Sequence, residues 1–132
     1  MKKMLFTLLV LASLSGTVFA QQRPCIDGTS NPALGNNHVG SNGGAPNQAT
    51  GGNATASGIN ARATAQSATA TGDSSLASGQ GSVATGTSST ASGCLSTANG
   101  ALSNASGYQS TANGYNSNAS GEAALASGSG SR

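Results

Sequence analysis

Residues 75–107 read SLASGQGSVATGTSSTASGCLSTANGALSNASG, and the spacing of small residues in this stretch decides the fold. Ala77, Ala84, Ala91, Ala98 and Ala105 stand seven apart. Two positions before them come Ser75, Ser82, Ser89, Ser96 and Ser103; two positions after them come Gly79, Gly86, Gly93, Gly100 and Gly107. Outward from here the Ala column continues to Ala70, Ala63, Ala56 and Ala49 on one side. On the other it continues to Ala112, Ala119 and Ala126. The Gly column runs from Gly51 to Gly128 with Ala65 as its exception. A period held this long outweighs local propensity and marks a repeat architecture. The repeat occupies residues 46–128 and leaves 129–132 as a tail.

The residue types exclude the familiar seven-residue structure. A coiled coil needs large apolar side chains at two heptad positions. Here the positions kept in register are Ala and Gly, and a Gly every seventh residue costs a helix about 1 kcal/mol each time. Collagen needs Gly at every third position. Within each unit the small residue, the Ala and the Gly fall at i, i+2 and i+4, which is strand alternation. The intervening Thr, Ser and Asn form a polar outer face, and β-branched Thr suits strands. The two residues after each Gly vary freely and read as a corner, where Gly permits sharp backbone turns. Strand, corner, strand, corner closes a coil of 14 residues. The fold class expected is all-β, a parallel β-roll of about six coils. Stacked at about 4.8 Å, these make a rod roughly 29 Å long.

The segments before the repeat have other roles. Lys2 and Lys3, the apolar run 4–14 and Val18-Phe19-Ala20 have the three-part layout of a secretory signal peptide over residues 1–20. Residues 21–45 are a Pro- and Asn-rich lead, read as an irregular cap. The precursor's formal charge of +2 belongs to the signal. Beyond it Arg23, Arg62 and Arg132 balance Asp27, Asp73 and Glu122. A neutral chain gives no electrostatic reason to expect a nucleic-acid partner. Large hydrophobic residues are scarce, so only a thin core of small side chains, carried by backbone hydrogen bonds, can offset the chain entropy.

The chained units Asn53-Ala-Thr-Ala-Ser-Gly58, Ser82-Val-Ala-Thr-Gly86, Ser89-Thr-Ala-Ser-Gly93, Ser103-Asn-Ala-Ser-Gly107 and Ser117-Asn-Ala-Ser-Gly121 resemble the head repeats of trimeric autotransporter adhesins of Gram-negative bacteria, the YadA-like head. The resemblance implies a left-handed roll, a homotrimer of side-by-side rolls, and attachment to host matrix or to other cells, at the cell surface or after secretion. Full-length members continue into a neck, a coiled-coil stalk and a membrane anchor. No such pattern follows Gly128, so the expectation is a head lacking stalk and anchor. The residues flanking the central Ala are also more polar than the family's usual Val and Ile, which weakens packing between chains.

Candidate contact residues are few. Tyr108 and Tyr115 each follow a repeat Gly and lie seven apart, on opposite corners. Gln109 and Asn116 beside them offer amides, and exposed aromatics can anchor a ligand. Thr55, Thr69, Thr71, Thr85, Thr97 and Thr111 rank along one face. Thr suits any exposed strand, yet a regular Thr face on a solenoid also fits a second reading, an ice-binding or other ordered-surface-binding protein. The repeat core is Ala77, Ala84, Ala91, Ala98, Ala105 and Ala112. Cys25 and Cys94 are the two cysteines, and export permits a disulfide, within one chain or between chains. His38 is the single histidine and stands in a loop-like stretch, with no second His for a zinc site. Carboxylates are far apart, and no Gly-rich step is followed by the Lys-Ser/Thr of a phosphate loop. No enzyme, cofactor, metal or small-molecule substrate is expected.

Overall fold

The computed structural model describes residues 37–39 and 48–132. Thirteen short parallel strands follow the repeat: β1 (Asn37–Val39), β2 (Gln48–Ala49), β3 (Thr55–Ser57), β4 (Arg62–Ala63), β5 (Thr69–Thr71), β6 (Leu76–Ala77), β7 (Val83–Thr85), β8 (Thr90–Ala91), β9 (Thr97–Asn99), β10 (Asn104–Ala105), β11 (Thr111–Asn113), β12 (Asn118–Ala119) and β13 (Leu125–Ser127). Odd-numbered strands form one seven-stranded sheet in chain order, and even-numbered strands form one six-stranded sheet. From β2 onward the paired strands lie 14 residues apart, Ala70 with Ala84, Ala84 with Ala98, Ala98 with Ala112, while β1 pairs with β3 at a separation of 18. The chain is therefore a β-solenoid of about six 14-residue coils, as the spacing required. No helix is present among the described residues.

The core is made of the smallest side chains. The repeat alanines from Ala49 to Ala126 are all buried, and the serines two positions earlier, Ser75 to Ser117, are buried with them. Two sheets carrying only Ala and Ser on their inner faces come close together. Their backbones bond along the rod, with Thr97 N–H to Ser110 O at 2.9 Å and Gly100 N–H to Thr85 O at 2.9 Å.

The buried hydroxyls are satisfied locally. Ser89, Ser96, Ser103, Ser110 and Ser117 donate Oγ–H to the carbonyl three residues back, at 2.6 to 3.0 Å. The same carbonyl also accepts a longer bond from the N–H of that serine at several corners, such as Ser96 N–H to Gly93 O at 3.3 Å. Each hydroxyl thus fastens a corner. Ser82 is the exception: its Oγ is buried without a hydrogen-bond partner. A buried unpaired hydroxyl costs about 1–3 kcal/mol, and a typical paired one contributes about 1 kcal/mol. Ala already fills this position at Ala54, Ala61 and Ala68. Ser82→Ala is therefore expected to raise the thermal midpoint, whereas Ser96→Ala lowers it. Thermal melts of the two variants against the parent check both signs.

The corners are of two kinds, which the uniform sequence pattern hid. After odd strands the Gly has positive φ, from 111° to 133° (Gly58, Gly72, Gly86, Gly100, Gly114, Gly128). After even strands it does not, but a Cβ there would collide with the next coil: at Gly93 it would lie 2.0 Å from the Gly107 carbonyl oxygen. Ala65, the one break in the Gly column, falls on the second kind, where the backbone conformation does not demand Gly. Both kinds place the residue two after the Gly near φ 53–62°, from Asn60 to Ala123. This left-handed residue turns its N–H along the rod, as in Leu95 N–H to Gln80 O at 2.8 Å and Leu102 N–H to Thr87 O at 3.0 Å. The Gly itself lies beyond the strand end, in the bend, rather than continuing the strand.

Residues 37–39 bring one further difference. The stretch around His38 read as loop, yet it forms β1 and pairs with β3, His38 opposite Ala56. No repeat pattern marks it. An open sheet edge supplies the backbone partners that make a strand of it. The signal segment 1–20 and most of the lead, including Cys25, lie outside the described residues.

Candidate binding surfaces

The roll presents two faces and two narrow edges. The outer side of the seven-stranded sheet carries one column of Thr55, Thr69, Val83, Thr97, Thr111 and Leu125, and a second of Ser57, Thr71, Thr85, Asn99, Asn113 and Ser127. The Thr residues singled out from sequence thus stand on one face in two aligned columns. Val83 and Leu125 interrupt the first column. Asn replaces Thr in the last part of the second. The first column is half-buried by its neighbours up to Thr111, and Thr71, Thr85 and Asn99 are exposed. The six-stranded sheet shows Arg62, Leu76, Thr90, Asn104 and Asn118 in one column. Asn118 has a buried Oδ1 without a partner.

One edge, formed by the corners after even strands, stacks Gln66, Gln80, Cys94, Tyr108 and Glu122, each at the residue after Gly or, for Gln66, after Ala65. Gln80 Nε2 donates to Gln66 Oε1 at 3.0 Å, one coil apart. Gln109 N–H bonds to the Cys94 carbonyl at 2.9 Å, which sets Cys94-Leu95 and Tyr108-Gln109 on successive coils of this edge. Cys94 is disulfide-bonded. The opposite edge stacks Ile59, Asp73, Thr87, Ala101 and Tyr115. There Asn116 N–H bonds to the Ala101 carbonyl at 3.0 Å, which sets Ala101-Leu102 and Tyr115-Asn116 on successive coils. The two tyrosines with their amide neighbours are therefore on opposite edges, and the fold does not unite them in one patch. Each edge instead carries its own pair, Leu95 with Tyr108 and Leu102 with Tyr115.

The leucines, which hold the next corner position in earlier copies of the repeat, stood outside the candidate contact residues. Leu95 has φ 56° and Leu102 has φ 60°. Left-handed backbone costs an ordinary residue about 1–2 kcal/mol, and Leu has no polar side chain to offset it. Both are about half exposed, at 51% and 48%. The same positive φ recurs at every corner and belongs to the roll, so what sets the two leucines apart is their exposed apolar surface. Their signal in the sequence was an apolar residue at a corner position otherwise held mostly by Asn, Ser, Gln, Gly or Ala. Tyr115 is 58% exposed, whereas Tyr108 is half-buried.

Among the described residues no three His, Cys, Asp or Glu side chains come together as a metal site. What the rod offers chemically is a set of aligned hydroxyls, amides and a few apolar groups on a rigid backbone. That arrangement defines a surface-presenting parallel β-solenoid. Among known families, the YadA head domain repeat matches residues 49–75, 70–96, 77–103, 95–117 and 105–131. These matches span more than half of the chain, and the chain belongs to that family. A search of curated proteins found no match. Neither the family nor the fold is of an enzymatic kind.

Proposed function

We propose that the protein is an exported, adhesin-like head that associates with copies of itself, as a homotrimer, and attaches to host matrix or to other cells. Membership of the YadA head repeat family carries the reading. The geometry supports it in a specific way. Every coil repeats its outer groups in register, so a weak contact made once is offered again at each step of about 4.8 Å. Weak contacts linked on one rigid body, and again across associated rods, gain strength through effective concentration. The contact patch is the edge with Leu102, Tyr115 and Asn116, where exposed apolar groups sit beside an amide.

Adsorption of the purified chain to extracellular-matrix coats and cultured cells, with sedimentation equilibrium on the same sample, tests the proposal. The expected result is saturable adsorption and a threefold mass, with Tyr115→Ala reducing adsorption severalfold while the mass and circular dichroism stay unchanged. Adsorption to neither surface overturns the adhesin reading. Freezing-point hysteresis with shaped ice crystals would transfer the function to the Thr columns of the seven-stranded sheet.

A further inference from the structure

Two corners of the roll share a reactive step, Asn99-Gly100 and Asn113-Gly114. Asn99 ends β9 and Asn113 ends β11. The two are register partners on the outer face of the seven-stranded sheet. Asn99 is exposed and Asn113 is half-buried. From β3 onward the other odd strands carry Ser57, Thr71, Thr85 and Ser127 at this position. The step is therefore confined to two successive coils.

An Asn-Gly step carries its own reaction. The Gly nitrogen attacks the Asn side-chain Cγ, and the new N–Cγ bond closes a five-membered imide. The Cγ–Nδ2 bond breaks, and ammonia leaves with the proton given up by the Gly N–H. Water then opens the ring at either carbonyl, leaving aspartate or isoaspartate. One water is consumed and one ammonia released, with no oxidation. Gly favours the attack because no Cβ crowds its nitrogen. The roll opposes it in two ways. A strand side chain stands roughly perpendicular to the sheet, whereas the next N–H lies along the rod. That N–H is also engaged with the preceding coil: Gly100 N–H donates to Thr85 O at 2.9 Å, and Gly114 N–H to Asn99 O at 2.8 Å. Each nitrogen is thus aimed away from the side chain it would attack. It is released only when its coil parts from the one before.

We propose that Asn99-Gly100 and Asn113-Gly114 are a paired modification site, closed while the roll is intact, at which opening of these coils is made irreversible by conversion of Asn to aspartate or isoaspartate. Either product keeps the coils from settling back. Aspartate at both positions sets like charges on register partners, which is unfavourable. Isoaspartate routes the main chain through Cβ and so lengthens the strand end. The Gly that follows is then displaced from a corner with φ +128° at Gly100 and +125° at Gly114, where it fits closely against the next coil. The site records openings of the rod's middle coils, whatever the head binds.

The test uses the purified chain and no ligand, so its outcome is independent of the adhesin reading. The protein is incubated at mildly alkaline pH, folded and in urea, each sample with a short Asn-Gly reference peptide that corrects for the effect of urea on the chemistry. Peptide mapping by mass spectrometry, with fragmentation that separates aspartate from isoaspartate, follows both positions in time. Conversion in the folded sample should be slower by about tenfold or more, since it waits on local opening. Equal corrected rates in the two samples overturn the proposal. So does the absence of conversion in urea. A second measurement reads the latch itself. The N99D/N113D double variant should lose more thermal stability at neutral pH than N99D and N113D lose separately. That excess should vanish as acid protonates the two new carboxyls, which repel only when both are ionised. Losses that merely add at neutral pH overturn the charge-paired latch.

Discussion

Gly100→Val is expected to destroy the middle of the roll. Gly100 has φ +128°, a conformation that side chains with a Cβ rarely adopt, and non-Gly residues forced into it pay about 1–3 kcal/mol. The second cost is steric. A Cβ at this position would stand 2.6 Å from the Gly114 carbonyl oxygen, 2.8 Å from its carbon and 3.2 Å from its Cα. All three are backbone atoms of the next coil, so no side chain can swing aside. Relief requires the coils to part, which breaks Gly114 N–H to Asn99 O at 2.8 Å and Asn116 N–H to Ala101 O at 3.0 Å. In a solenoid each unit is held by its neighbours, so a parted interface leaves two short stacks, each with a fresh open end. Amide exchange should lose protection first across residues 97–117. The β signal in circular dichroism should then vanish tens of degrees below the parent's midpoint. A Val variant that melts with the parent would refute the stacking geometry itself. Ala65 is the natural contrast, since it occupies a corner whose Gly counterparts lack positive φ.

Ala98→Leu ranks second. Ala98 is completely buried and lies in register between Ala84 and Ala112. Overpacking a close-packed core costs about 1–3 kcal/mol, and more where the walls cannot yield. Here the walls are two sheets whose separation is set by methyl and hydroxymethyl groups throughout, so one Leu must pry several coils apart. In a domain of this size each kcal/mol lowers the midpoint by about 4–8 °C. The variant should therefore melt at least about 10 °C lower, and the loss should be read against Thr97→Leu. Thr97 is the neighbour on the outer face, where substitutions change stability by about 0.5 kcal/mol or less. Equal melting of the two variants would mean that the alanine column is not a tight interior.

The seven-residue spacing sufficed for much of this. Ala77, Ala84 and Ala91 at fixed intervals, with polar residues on either side, announce an inner and an outer face. The variable pairs after each Gly announce corners. The opposite placement of Tyr108 and Tyr115 also follows, because seven residues are half a coil. The candidate site was legible only to that extent. Leu95 and Leu102 look like ordinary corner residues until their positive φ is seen. Nor does the spacing tell that Tyr115 is exposed and Tyr108 half-buried.

By itself, then, the sequence determined the coil length, the composition of the core and the positions of the corners, since all three follow from alternation within a few neighbouring residues. The tertiary structure alone decided which glycines take a positive φ as well as lying close to the next coil, and which are held only by that closeness. It also decided that His38 joins a strand, that Ser82 lacks the bond its siblings make, and that Tyr115 is more exposed than Tyr108. Apart from the local serine bond, these features depend on residues a coil or more apart, and on how closely one coil settles on the next.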